Sequence, residues 1–319
     1  MRHTPPVTPA PAGPRPLLPS PLQCVEDDRF ARHGVRLRLK RDDLIHPDLP
    51  GNKYRKLVLN LAAATAAGHD TLLTFGGAYS NHLRATAAAG RLLGLATIGV
   101  VRGDELAERP LNPSLARCVF DGMRLHFVDR ATYRRKHEPG TLAGLLSAAD
   151  ARDAYVIPEG GSNSLAVRGC TALGEELRGS TDVAAVACGT GGTLAGLAAG
   201  LGPDRRALGI PVLKGGFLGS DIRELQRGAF GAPTGNWRLD DRFHCGGYAR
   251  TTPELLAFAE DFEDRHGHAL GLSVERLYVA KLLYALTALS EEGAFCPGTR
   301  LTAVITGTRE EPAQSSTSR

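Results

Sequence analysis

The chain has 319 residues, 42% of them apolar and 23% charged, which excludes a coiled coil and a wholly disordered chain and leaves room for two lobes. Its 38 basic residues against 34 acidic ones leave a formal charge of +4, too small a surplus on this length to suggest a nucleic-acid surface. No window approaches the ~20 apolar residues of a membrane helix, and the N-terminus lacks the apolar run of a signal peptide, so a cytoplasmic protein is expected.

In chain order, residues 1–22 carry Pro5, Pro6, Pro9, Pro11, Pro14, Pro16, Pro19 and Pro21, a density that predicts a disordered or extended arm. Short runs of Val, Ile and Leu then alternate with Ala-rich stretches of helical period. They predict a helix over 56–67, a strand over 71–75, a helix over 80–93, and strands over 96–101, 125–128 and 154–157. A helix over 164–177, a strand over 183–187, a helix over 192–199 and a strand over 207–211 follow. Helices over 253–266 and 274–292 and a strand over 301–306 complete the pattern, and the polar segment 309–319 reads as a loose tail. Such alternation predicts an α/β fold, a parallel sheet with helices on both faces, whose ligands bind where strands run out into helix N-termini. The six cysteines, at 24, 118, 170, 188, 245 and 296, show no CxxC or zinc-ligand spacing and read as buried thiols; no metal is expected.

Three glycine-rich turns stand at such strand-to-helix junctions. Cys188-Gly189-Thr190-Gly191-Gly192-Thr193 follows a strand and opens a helix, so its bare amides and flanking hydroxyls suit a phosphate. It is neither a Walker A loop nor the dinucleotide fingerprint, because no Lys-Ser/Thr follows and Leu194 stands where a third glycine is needed. Gly76-Gly77-Ala78-Tyr79-Ser80-Asn81-His82 and Gly160-Gly161-Ser162-Asn163 share a second pattern, glycines ahead of a Ser-Asn pair that can cap a helix or meet a ligand. Ser80 has no glycine two residues on, which weakens a serine-hydrolase reading. Lys53, after Gly51-Asn52 in a loop that opens a helix, can be desolvated beside other cations and so become a Schiff-base former; the alternative is a solvated surface charge.

These segments, in this order from about Leu39 to Gly307, resemble the fold-type II pyridoxal-phosphate enzymes of the 1-aminocyclopropane-1-carboxylate deaminase and D-cysteine desulfhydrase family. The resemblance implies a tryptophan synthase beta-like fold. Residues 23–56 and 156–308 would form a large cofactor domain, 57–155 a smaller inserted α/β domain, and the site a cleft between them. It further implies that Lys53 forms the Schiff base with pyridoxal 5'-phosphate, that Asn81 meets the ring hydroxyl, and that Cys188, Gly189, Thr190, Gly191, Gly192 and Thr193 hold the phosphate. Ser80, Asn81, His82 and Ser162 would receive the substrate. Gly247-Tyr248 resembles the family's Gly-Tyr turn and Leu277-Tyr278-Val279-Ala280-Lys281 its Val-Tyr-x-Gly-Lys helix start, which makes Tyr248 and Tyr278 candidates for acid and base.

The departures are local. Val279 replaces the Glu of the deaminases or Thr of the desulfhydrases, and Ser273 to Leu277 replace the usual Asp-Pro-Val. Ile305-Thr306-Gly307-Thr308 replaces His-Thr-Gly-Gly, leaving Thr306 as the partner of the pyridine nitrogen. His82 and Val279 lean away from the deaminases. The expected activity is therefore β-elimination of a D-cysteine-like amino acid to a 2-oxo acid and ammonia, with cyclopropane ring opening second and a specialised lyase or synthase third. A non-catalytic cofactor-binding protein and a nucleotide-binding protein are the alternatives of other classes. A homodimer with a small amino-acid substrate is implied, without nucleic-acid or membrane partners.

Overall fold

The computed structural model describes residues 15–49 and 51–307. Its strands are β1 Leu22–Val25, β2 Arg36–Lys40, β3 Thr71–Gly76, β4 Ala96–Arg102, β5 Met123–Val128, β6 Tyr155–Ile157, β7 Val183–Cys188, β8 Arg206–Pro211, β9 Asn236–Leu239 and β10 Arg300–Val304. The α-helices are α1 Asp28–Ala31, α2 Asn52–Ala66, α3 Asn81–Leu93, α4 Pro113–Phe120, α5 Arg130–Arg134, α6 Pro139–Ala148, α7 Ser164–Gly169, α8 Thr171–Leu177, α9 Gly192–Leu201, α10 Leu218–Phe230, α11 Pro253–Phe262, α12 His268–Leu270 and α13 Val279–Glu291. None is long and apolar enough to cross a membrane among the described residues.

The described residues pack as two units, one of 15–17, His46–Leu49 and Asn60–Gly161, the other of Leu18–Ile45, 51–59 and 162–307. The first holds a four-stranded parallel sheet in the order β5-β4-β3-β6. Leu73, Phe75, Ile98 and Val100 face one side with Tyr133 and Leu145, while Leu83, Ala87, Leu115 and Cys118 of α3 and α4 fill the other with Val101 and Met123.

The second unit holds a six-stranded sheet in the order β1-β2-β10-β7-β8-β9, parallel throughout except for β1 against β2. β7 explains why its sequence is apolar without interruption. Val183, Ala185 and Ala187 turn to the face covered by α11 and α13, and Ala184, Val186 and Cys188 to the face covered by α8, α9 and α10. The small side chains of α8 and α9 let backbones touch: a Cβ built on Gly200 would stand 2.0 Å from the Thr171 carbonyl oxygen.

The same unit buries an ion cluster. Arg55 of α2 donates to both carboxylate oxygens of Asp42 and to Glu176, which also pairs with Lys40 at 2.6 Å. Ser20, from the proline-rich arm, is buried against Asp42 and Lys40; residues 1–14 and 308–319 lie outside the described residues. Losing one member of such a buried cluster costs about 3–5 kcal/mol, because the partner charge is left unmatched.

Several element boundaries move for local reasons. The helix expected over 164–177 breaks at Cys170, where a Cβ on Gly169 would stand 2.1 Å from the Arg55 carbonyl oxygen. The one expected from 274 starts at Val279, because the Glu275 carboxylate takes the N–H groups of Leu277, Tyr278 and Val279. That expected to His266 leaves the α form at Phe262 for a π turn, Glu263–Gly267, and the last strand stops at Val304. All six cysteines are free, but Cys24 and Cys296 are exposed, which corrects their reading as buried thiols: Cys24 lies on the two-stranded edge of the sheet and Cys296 in the turn before β10.

Candidate active site

The second unit's site begins at Gly51, with φ of +71° and a backbone so close to Thr306 that a Cβ would stand 1.8 Å from its carbonyl oxygen. Asn52 then opens α2, and its side-chain amide donates to the Thr193 hydroxyl at 2.8 Å. Lys53 consequently lies in the first turn of the helix rather than in a loop before it, a correction to the sequence reading. The residue is half-buried, but its ammonium is the buried end. Burial, helped by the charge of neighbouring Lys56, lowers its pKa from 10.5 to about 7.

Lys56 follows one turn later on the same face. It is buried, and its Nζ donates to Ser162 Oγ at 3.3 Å and Thr190 Oγ1 at 3.4 Å. Burial also holds its pKa below the ordinary lysine value. Sequence reasoning missed Lys56, the first residue of the helix expected over 56–67. Ser162 and Thr190 hydrogen-bond each other, and Asn163, not Ser162, caps α7.

The glycine loop runs from the end of β7 to the start of α9. Gly191 has φ of +78° and ψ of −14°, and a Cβ there would press to 2.5 Å from Ile222 Cγ1. Only glycine meets both conditions without strain. The first N–H groups of α9 have no intrahelical partner and carry the positive end of its dipole. Together with two hydroxyls and the Lys56 ammonium they form a set of donors suited to a phosphate. The buried Cys188 thiol, pushed up to about 12, adds no competing negative charge.

Further contacts extend this group. A Cβ on Gly189 would stand 3.3 Å from the Tyr278 hydroxyl, and the Tyr278 and Tyr248 rings meet edge to face at 6.2 Å. The second unit thus links Lys53, Ser162, Cys188 to Thr193, Tyr248, Tyr278 and Thr306 through adjoining segments. Val279 is buried in the apolar core, so that departure from the pattern serves packing. Ser80, Asn81 and His82 belong to the first unit, at the exit of β3. Ser80 caps α3 by accepting the Leu83 N–H at 3.3 Å, Asn81 is the first helical residue, and His82 is buried. The Ser80 hydroxyl proton is not used by that cap.

Residues 15–307 match the family model described as pyridoxal-phosphate dependent enzyme. The chain belongs to this family, with pyridoxal phosphate as its cofactor, and the donor set around Gly191 with a buried Lys53 amine of lowered pKa fits that group. Among curated relatives, a putative 1-aminocyclopropane-1-carboxylate deaminase of Thermotoga maritima is 36% identical over 58% of this chain and 60% of its own length. The mitochondrial bifunctional D-cysteine desulfhydrase/1-aminocyclopropane-1-carboxylate deaminase of Arabidopsis thaliana is 35% identical over 53% of this chain and 45% of its own. The matches to these two relatives therefore span about half of their length. A crystal structure of an ACC deaminase homologue superposes with a TM-score of 0.78 at 27% identity, covering 94% of this chain and 92% of that one. The fold is the fold-type II, tryptophan synthase beta-like one.

Proposed function

We propose that the protein is a lyase that eliminates the β-substituent of a small, D-cysteine-like amino acid, giving a 2-oxo acid and ammonia. The observation that carries the proposal is the buried Lys53 amine, with a pKa of about 7, one helical turn from a lysine held by the hydroxyls of Ser162 and of Thr190 in the glycine loop. Bound pyridoxal phosphate supplies an electron sink for the carbanion at the substrate Cα. An amine of that pKa is largely neutral near pH 8, able to attack a carbonyl and afterwards to take a proton from Cα.

In this reading Cys188 to Thr193, with Lys56 added, anchor the phosphate, and Thr306 meets the pyridine nitrogen. On the resemblance, Asn81 meets the ring hydroxyl, Ser80, Asn81 and His82 receive the substrate carboxylate, and Ser162 contacts the substrate. Tyr248 and Tyr278 are the acid and base that serve the leaving group. The curated relatives' names support both β-elimination and cyclopropane ring opening; His82, closer to the desulfhydrase-like members, favours elimination. A homodimer located in the cytoplasm completes the proposal. The test is turnover: ammonia and pyruvate released from D-cysteine support it, release of 2-oxobutyrate from the cyclopropane acid alone favours the second reading, and neither product defeats both.

A further inference from the structure

The turn that carries Tyr248 departs from ordinary backbone. Cys245 and Ala249, both with side chains, stand at φ of +50° and +57°, on either side of Gly246 at +89° and Gly247 at +118°. L-residues in this left-handed region are strained and persist where surrounding contacts over-determine them. Within the turn, Gly247 donates to the His244 carbonyl at 3.0 Å, Arg250 to the Gly247 carbonyl at 3.2 Å, and Gly246 to His244 Nδ1.

A further tie comes from α13. Lys281 is wholly buried, and its Nζ donates at 2.9 Å to each of the same two carbonyls, His244 and Gly247. It stands three residues after Tyr278, the residue that caps α13, so one short segment carries a phenol and grips the turn that carries the other. The helix start is itself fixed by Glu275, which accepts the Tyr278 N–H at 2.7 Å. Burying an ammonium costs free energy that hydrogen bonds such as these two must offset.

We propose that Lys281 is a positioning residue, whose grip on the His244 and Gly247 carbonyls holds the strained turn that sets the Tyr248 phenol against Tyr278. This rests on the reading of the two tyrosines as acid and base, and it extends that reading by naming what orients them. Lys281 touches neither reacting atoms nor cofactor in this role.

The test uses the cofactor-loaded protein with Lys281→Met, which keeps the length of the stem and removes the donors. Amide hydrogen exchange is expected to rise at least tenfold at Gly247 and Arg250 and to stay unchanged over 188–194. The visible cofactor band and its occupancy are expected to hold while kcat falls at least tenfold with KM within twofold. Adding Ala249→Gly, which relieves one of the turn's two strained positions, is expected to recover at least threefold of the lost kcat. Unchanged exchange in the turn, unchanged kcat, or a fall in kcat that tracks lost cofactor would each overturn the proposal. If the unmodified protein turns over none of the amino acids, the reaction reading fails, and hydrogen exchange alone then decides whether Lys281 holds the turn.

Discussion

Replacing Lys53 by methionine in the cofactor-free protein should reveal what burying its amine costs. The pKa falls from 10.5 to about 7 on folding, and at 1.36 kcal/mol per unit that difference sets a ceiling of roughly 5 kcal/mol. The sign follows from proton counts. Between pH 7 and 10.5 the unfolded chain keeps a proton on this lysine that the folded chain has lost, so stability rises with pH across that window. The penalty is absent above 10.5 and complete below 7. Urea unfolding of the wild-type and Lys53→Met apoproteins should therefore show the variant's advantage shrinking by up to about 2.7 kcal/mol between pH 7.5 and 9.5. Lys53→Met/Lys56→Met is measured alongside, because the Lys56 charge contributes to the lowered pKa of Lys53. A difference that stays constant with pH would refute the buried, neutral amine. The same shift raises the neutral fraction at pH 8 from about 0.3% to about 90%, which is the chemical advantage of paying for the burial.

Three further changes probe the rest of the site and its support. Lys56→Met should weaken binding of pyridoxal phosphate about 10- to 100-fold, in line with the loss of charged hydrogen bonds worth about 1.5–3 kcal/mol, as read by a fluorescence or absorbance titration. Gly191→Ala must hold a left-handed residue at about 1–2 kcal/mol and displace Ile222 as well; both the melting temperature and the cofactor affinity should fall, and an unchanged affinity would separate the loop from the phosphate. Gly200→Ala forces α8 and α9 apart, so denaturant unfolding should show a loss of about 1–3 kcal/mol with cofactor affinity retained.

Much of this arrangement was legible in the sequence, and the exceptions have physical causes. β7 declared itself through Val183 to Ala187, an apolar run that only a strand covered on both faces needs. β2 was missed although Arg36-Leu37-Arg38-Leu39-Lys40 alternates with the period of a strand; the burial of Lys40, paired with Glu176 136 positions away and bonded to the Ser20 carbonyl, had no such local signal. The helix Leu218–Phe230 was missed for a similar reason: it opens straight out of Gly215-Gly216 with no side-chain cap to mark its start. The glycine loop was readable because Gly191's left-handed backbone leaves a residue signature. Lys56 was not, because its role depends on Ser162 and Thr190, more than a hundred residues distant, closing around its ammonium.

The central claim is that Lys53 binds the cofactor covalently in a site otherwise built from the glycine loop. Visible absorption of the purified protein, loaded with pyridoxal phosphate and then offered D- and L-amino acids and the cyclopropane acid, tests it directly against Lys53→Ala. The account predicts a visible band in the wild type that shifts with a D-cysteine-like substrate and is missing from the variant. An identical band in Lys53→Ala, or none in the loaded wild type, would contradict it.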